Sequence, residues 1–143
     1  MLSIIYIVAI LIALYFKIYE ICSKSYYIEF LLTAWKKKHA SGHMSYSKGF
    51  LTVGVEGYYY IYSQINYVDG RSAMTGYIIY IEETPVIKAV NSVISKMRKY
   101  DTNYIGGVFY IRSGQRISVR TPFKQKMFYS ATRAYFGAFM VHP

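Results

Sequence analysis

The side chains that could do chemistry are few, and their spacing assembles no reaction centre. Among 143 residues there is one cysteine, Cys22, so no internal disulfide, CxxC pair or cysteine-rich zinc site can form. His39 and His43 stand four apart, but nothing around them marks a helix that would place both rings on one face. Ser41 and His43 are neighbours without a nearby carboxylate to orient the imidazole. The seven acids are scattered and form no carboxylate pair. Gly106-Gly107 follows Tyr104 inside an apolar run rather than opening a helix, which excludes a phosphate-binding loop. No GxSxG, HExxH or P-loop occurs. The expectation is a protein with no catalytic residues, no metal and no cofactor, and therefore not an enzyme.

The remaining chemistry is that of surfaces. The chain is 54% hydrophobic and 17% charged, which excludes intrinsic disorder, and it carries 18 tyrosines. Aromatic rings suit strands, where a broad side chain packs on a half-buried pleat. The formal charge is +10, and after Glu83 ten basic residues face a single acid, Asp101. Such a balance suits nucleic acid, an acidic glycan, anionic lipid, an acidic protein, or simply a solvated basic surface.

The elements that must position these residues fall into three stretches. Leu2 to Phe16 carries no charge, and with Lys17 and Glu20 snorkelling the apolar stretch extends to Cys22. That length approaches the roughly 20 residues of a membrane-crossing helix. No basic n-region or small-residue cleavage site supports a signal peptide, so residues 1–24 are expected to be an apolar helical signal anchor. Residues 25–44 read as a linker or partial first strand. The basic residues Lys17, Lys24 and Lys36-Lys37-Lys38 lie after the apolar run, where the positive-inside rule favours the cytoplasm. That conflicts with an outside placement of residues 45–143.

From residue 45 onward, short apolar-aromatic runs alternate with turns about every ten residues, the rhythm of a sandwich or barrel. Strands are expected at 50–54, 57–67, 73–82, 86–94, 104–112, 115–122 and 133–141. Residues 86–99 also fit a helical period, and their β-branched residues favour strand. Alternation puts Tyr58, Tyr60, Tyr62 and Gln64 on one face of the second strand, with Tyr59, Ile61 and Ser63 on the other. The runs 104–111 and 135–141 are apolar on both faces as well. A free sandwich would wet its outer face, so these strands are expected to lie between the core and a partner subunit.

Three stretches carry a resemblance: GFLTVGVEGYYYIYSQ from Gly49, YIGGVFY from Tyr104 followed by SGQRISV, and YFGAF from Tyr135. Their order and spacing over residues 45–143 resemble the tumour necrosis factor homology domain, and IIYIEETPVIKAVNSVI at 78–94 is similar to its ectodysplasin branch. The resemblance implies an all-β jelly-roll sandwich of two antiparallel sheets, preceded here by the apolar N-terminal helix. It implies a homotrimeric cytokine that binds and clusters receptors of the tumour necrosis factor receptor superfamily, as a type II membrane protein with an extracellular C-terminal domain or as a secreted one. By position it places Tyr60, Tyr62, Tyr104, Tyr135, Phe139 and Val141 in the trimer interface, with Gly106, Gly107 and Gly137 allowing backbones to approach closely. Receptor contacts are expected in loops, at Arg71, at Glu82 and Glu83, and at Lys96, Arg98, Lys99 and Tyr100.

The family's opening strand is not recognisable; Trp35 stands where the family has a tryptophan, and Tyr26–Leu32 is a candidate substitute strand. Without a first strand, the C-terminal strand is left with an exposed sheet edge. Two other functions compete with the cytokine reading. A jelly-roll recognition module of the complement-C1q type is disfavoured because these residues hold no collagen-like repeat. A nucleic-acid-binding β domain is disfavoured because Arg112, Arg116, Arg120 and Lys124 are expected to flank turns rather than interleave with the aromatic faces.

Overall fold

The computed structural model describes residues 30–35, 43–68, 74–92, 100–122, 127 and 132–143, which contain nine strands and no helix. Among the described residues no helix is long and apolar enough to cross a membrane. The expected anchor at 1–24, and the linker except for 30–35 and 43–44, lie outside them. The strands are β1 (Phe30–Leu31), β2 (Met44–Ser47), β3 (Phe50–Val53), β4 (Gly57–Tyr67), β5 (Met74–Ile81), β6 (Thr84–Ser92), β7 (Asp101–Ile111), β8 (Arg116–Thr121) and β9 (Tyr135–His142).

All seven expected strands are present, and two begin earlier than expected for local reasons. β7 starts at Asp101 because the Asp101 carboxylate accepts bonds from the Thr75 hydroxyl (2.7 Å) and the Asn91 amide (3.0 Å). The strand expected at 86–94 starts at Thr84 because the turn is Glu82-Glu83, with Glu82 at φ 53°. The β2–β3 hairpin was not expected. Its two-residue turn is Lys48-Gly49 at φ 47° and 91°, both left-handed, as a tight hairpin turn requires.

The strands form two antiparallel sheets. The six-stranded sheet runs β2-β3-β8-β5-β6, with β1 also paired to β8; the three-stranded sheet runs β7-β4-β9. Between them Val53, Ile61, Ile65, Tyr67, Tyr77, Ile79, Ile111, Ile117 and Val119 are completely buried. Burial of each such side chain stabilises the fold by about 1.5–3 kcal/mol. The Tyr77 hydroxyl, on β5, donates to the carbonyls of Ser63 (2.6 Å) and Asn103 (3.2 Å), tying one sheet to the other. Burial pushes its ionisation well above the ordinary tyrosine range, so it remains a donor.

The fate of the first strand is partly settled. Phe30 and Leu31 pair with Thr121 and Arg120 of β8, and the Leu32 amide donates to the Val119 carbonyl at 3.0 Å. Trp35 packs on Phe136 of β9 with ring centroids 5.8 Å apart. The described end of the candidate substitute strand therefore joins the larger sheet. Among the described residues, no strand pairs with the outer edge of β9.

Candidate functional site

The double apolarity of β4, β7 and β9 resolves into two different faces. Tyr59, Ile61, Ser63, Ile65 and Tyr67 point inward and are buried. The other side of the sheet carries Tyr58, Tyr60, Tyr62 and Gln64 of β4, flanked by Tyr104, Gly106, Val108 and Tyr110 of β7 and by Tyr135, Gly137 and Phe139 of β9. Cross-strand register brings them together: Tyr62 lies between Gly106 and Gly137, Tyr60 between Val108 and Phe139, and Gln64 between Tyr104 and Tyr135. Tyr104 and Phe139 remain 52% and 53% exposed, far above what a closed core leaves.

The face is an ordered plate. Tyr62 packs on Tyr135 and Phe139 at 6.2 and 6.3 Å, and Tyr60 on Phe139 at 5.5 Å. Tyr58 and Tyr110 meet edge to face at 5.2 Å. The phenols are cross-linked: Tyr60 and Tyr104 hydroxyls are 3.2 Å apart, and Tyr135 donates to Gln64 Oε1 at 3.1 Å. The hydrogen bond with Tyr60, in which either hydroxyl can donate, is the main reason the Tyr104 phenol is pushed up to about 12.

The glycines have a role within their own sheet. A Cβ on Gly137 would lie 2.6 Å from the Tyr62 hydroxyl, and one on Gly106 would collide with the Tyr60 ring. Each glycine clears space for a tyrosine of its own sheet to lie flat across the neighbouring strand, whatever it allows to a second chain. Gly107 faces inward, where its Cβ would meet Phe109 and Ile87.

The expected interface residues Tyr60, Tyr62, Tyr104, Tyr135, Phe139, Gly106 and Gly137 thus share one face. Val141 lies at its margin, 54% exposed, at a register shift where β9 adds a residue opposite the Tyr58–Tyr59 step. Of the expected receptor contacts, the three described residues lie at two places. Glu82 and Glu83 form the β5–β6 turn at one end of the sandwich, whereas Tyr100, 59% exposed, precedes β7 at the other. Arg71, Lys96, Arg98 and Lys99 lie outside the described residues.

Glu82 and Glu83 are ion-paired. Glu82 accepts from the Arg116 amide (2.8 Å) and guanidinium (3.1 Å), and Glu83 accepts from both terminal nitrogens of Arg120 at 2.8 and 2.9 Å. Arg120 holds the Glu83 carboxyl below its ordinary range, first through the hydrogen bond and then through its charge. The guanidinium of Arg116 stands 4.7 Å over the Phe50 ring, and that of Arg120 4.3 Å over Tyr80. The expectation that these arginines avoid aromatic faces is therefore corrected. They lie within β8 on its outward side, four residues apart. The spacing Arg116-x-Ser118-x-Arg120 in an alternating strand was the available signal.

A jelly-roll sandwich with one capped face and one bare aromatic face is the class that this geometry defines. Residues 33–141 match the TNF (Tumour Necrosis Factor) family, and the chain belongs to that family. It is 32% identical over 73 residues to ectodysplasin-A of Mus musculus and of Homo sapiens, a match covering 50% of this chain and 19% of those relatives. It therefore spans about a fifth of the length of the curated relatives it matches. Among solved structures the fold is similar to murine APRIL at pH 8.5, with a TM-score of 0.61, 21% identity, and coverage of 69% of this chain and 76% of that one. It is also similar to Eiger TNF from S. frugiperda, with a TM-score of 0.59, 15% identity and 66% of each chain covered. The chain thus carries a tumour necrosis factor-type ligand domain.

Proposed function

We propose that three copies of this domain assemble around the aromatic face of β7-β4-β9, and that the trimer binds and clusters receptors of the tumour necrosis factor receptor superfamily. The observation that carries the reading is that bare face. Its rings are ordered by their own sheet, yet Tyr58, Tyr104, Tyr110 and Phe139 are about half exposed around the half-buried Tyr60, Tyr62 and Tyr135, which a lone soluble domain does not ordinarily sustain over a contiguous patch. Family membership supports a ligand function. Clustering follows from symmetry: three equivalent grooves hold three receptor chains at once, and each bound chain raises the effective concentration for the next.

In this reading residues 1–24 anchor the chain and the sandwich lies outside the cell. Receptor contact comes from loops: the Glu82-Glu83 turn at one end of the sandwich and Tyr100 at the other, with Arg71, Lys96, Arg98 and Lys99 as further contacts outside the described residues. The ion pairs of Arg116 and Arg120 offset the positive charge that binding nucleic acid through this strand would need, so the nucleic-acid reading gains no support. The test is sedimentation of the purified chain beside its Tyr62→Asp variant, with capture of a soluble family receptor as second readout. Wild type is expected to sediment as a trimer and the variant as a folded monomer with no avid capture. A monomeric wild type overturns the assembly; a trimer that captures no family receptor overturns the partner.

A further inference from the structure

Phenols give up one electron to strong oxidants, and thiols are the side chains that quench the resulting phenoxyl radicals. This chain has 18 tyrosines against one cysteine. Two phenoxyl radicals join through the ring carbons beside their oxygens, provided the rings touch, can turn and can be reached. Among the described tyrosines one pair meets all three conditions. Tyr58 of β4 and Tyr110 of β7 stand directly opposite each other. Their rings meet with centroids 5.2 Å apart at 65°, and they are 47% and 48% exposed. Exposed side chains change rotamer within picoseconds to nanoseconds, so the edge-to-face tilt is no barrier to coupling. The neighbouring rings are less free. Tyr60, Tyr62 and Tyr135 are half-buried, and Gly106 and Gly137 seat Tyr60 and Tyr62 flat on the sheet.

We propose that Tyr58 and Tyr110 form an oxidative cross-linking site, joined within one chain as a dityrosine by a haem peroxidase and hydrogen peroxide. Each phenol loses one electron and its hydroxyl proton and becomes a phenoxyl radical. The two radicals pair into one carbon–carbon bond between the ring positions ortho to oxygen. The hydrogen on each of those carbons then leaves as a proton and each oxygen regains one, which restores both phenols. The protein has lost two electrons and two protons in all, and these reduce one peroxide to two waters. Strand pairing favours this partner over any other, because rings held opposite each other collide far more often than rings on separate dilute chains. The bond ties the start of β4 to the end of β7, at one end of the aromatic face. Like a disulfide, it stabilises the fold by constraining the unfolded chain.

The test treats the full chain in detergent micelles with a haem peroxidase and limiting hydrogen peroxide. The expected result is dityrosine fluorescence whose yield per chain is unchanged on dilution, and a product that runs as a single chain on a denaturing gel. Digestion should release a linked peptide pair carrying residues 58 and 110, lighter than its parts by two hydrogens. Tyr58→Phe and Tyr110→Phe keep the rings but cannot form the radical, and each should lower the yield at least about tenfold. Tyr100→Phe, which removes an exposed phenol outside the strands, should leave it unchanged. Tyr62→Asp should cross-link as wild type does, which separates this inference from the trimer reading. A yield that falls on dilution, or linkage between two chains, overturns the site within one chain. An undiminished yield in Tyr58→Phe and Tyr110→Phe overturns the pair.

Discussion

The molecule has two outward sheet faces, both aromatic, and they are finished differently. On the six-stranded sheet, Phe50 and Tyr80 lie beneath the guanidinium groups of Arg116 and Arg120, which Glu82 and Glu83 hold in place. On the three-stranded sheet, the rings of Tyr60, Tyr62, Tyr135 and Phe139 lie on one another and on glycine, with no cation stacked on them among the described residues. A cation over a ring contributes about 0.5–1 kcal/mol at an exposed site and also makes the face wettable. The capped face can stand in water; in the proposed trimer the bare face loses it. The contrast lies in what pairs with the rings, not in how many rings there are.

The largest test of the contrast is a charge placed in the bare face. Tyr62→Asp should cost on the order of several kcal/mol per copy in assembly, because the carboxylate would be desolvated without a partner. Folding of the isolated sandwich should change little, since Tyr62 points away from the core. Sedimentation combined with thermal unfolding reads both effects. An unchanged assembly would remove this face from the interface. Gly137→Val is next in size. A Cβ there meets the Tyr62 hydroxyl at 2.6 Å and its ring carbon Cζ at 2.8 Å, so the ring must lift off the sheet at a cost of about 1–3 kcal/mol. The expected result is weaker assembly with a folded chain, and an unchanged dissociation midpoint would show that the flat ring is not needed.

Much of this was legible in the sequence. The alternation of β4 gave its boundaries and that of β7 and β9 gave theirs to within three residues, and apolar residues of both parities gave a sheet with two apolar faces. The role of the glycines was not legible, because whether a Cβ meets a second chain or a ring of the same sheet depends on register and ring direction, Tyr60 over Gly106 and Tyr62 over Gly137. The β2–β3 hairpin was hidden because Met44–Ser47 is short and half polar, and its turn uses a lysine in a left-handed conformation. The ion pairs escaped because Glu82 and Arg116 are 34 residues apart and meet only across the β5–β8 ladder.

Removing a cap from the other face should have a smaller effect. Arg120→Ala deletes the cover over Tyr80 and leaves Glu83 without its partner. The lost cation–π contribution is about 0.5–1 kcal/mol, and the exposed ion pair adds little to it. Thermal unfolding should fall by that amount, and light scattering should show new, salt-insensitive association through the uncovered Tyr80. Association without stability loss would mean that the guanidinium serves only solubility; neither change would make the cap irrelevant.

The smallest expected effect is the pH response of the Glu83–Arg120 pair. The Glu83 carboxyl titrates below its ordinary 4.5 in the folded chain because Arg120 donates to it and sits beside it as a positive charge. A carboxyl whose folded value is depressed adds stability that is complete above the unfolded value. That stability is lost as pH falls through the folded one, since only the unfolded chain binds the proton readily in between. Glu83 is exposed, so solvent and salt screen the pair and the contribution is small. The difference in melting temperature between wild type and Glu83→Gln should therefore be constant from neutral pH down to the region of 4.5 and shrink below it. It should also narrow in high salt at neutral pH. A difference that grows on acidification would mean that the carboxyl is held protonated rather than ionised, and that Arg120 caps Tyr80 without help from the turn.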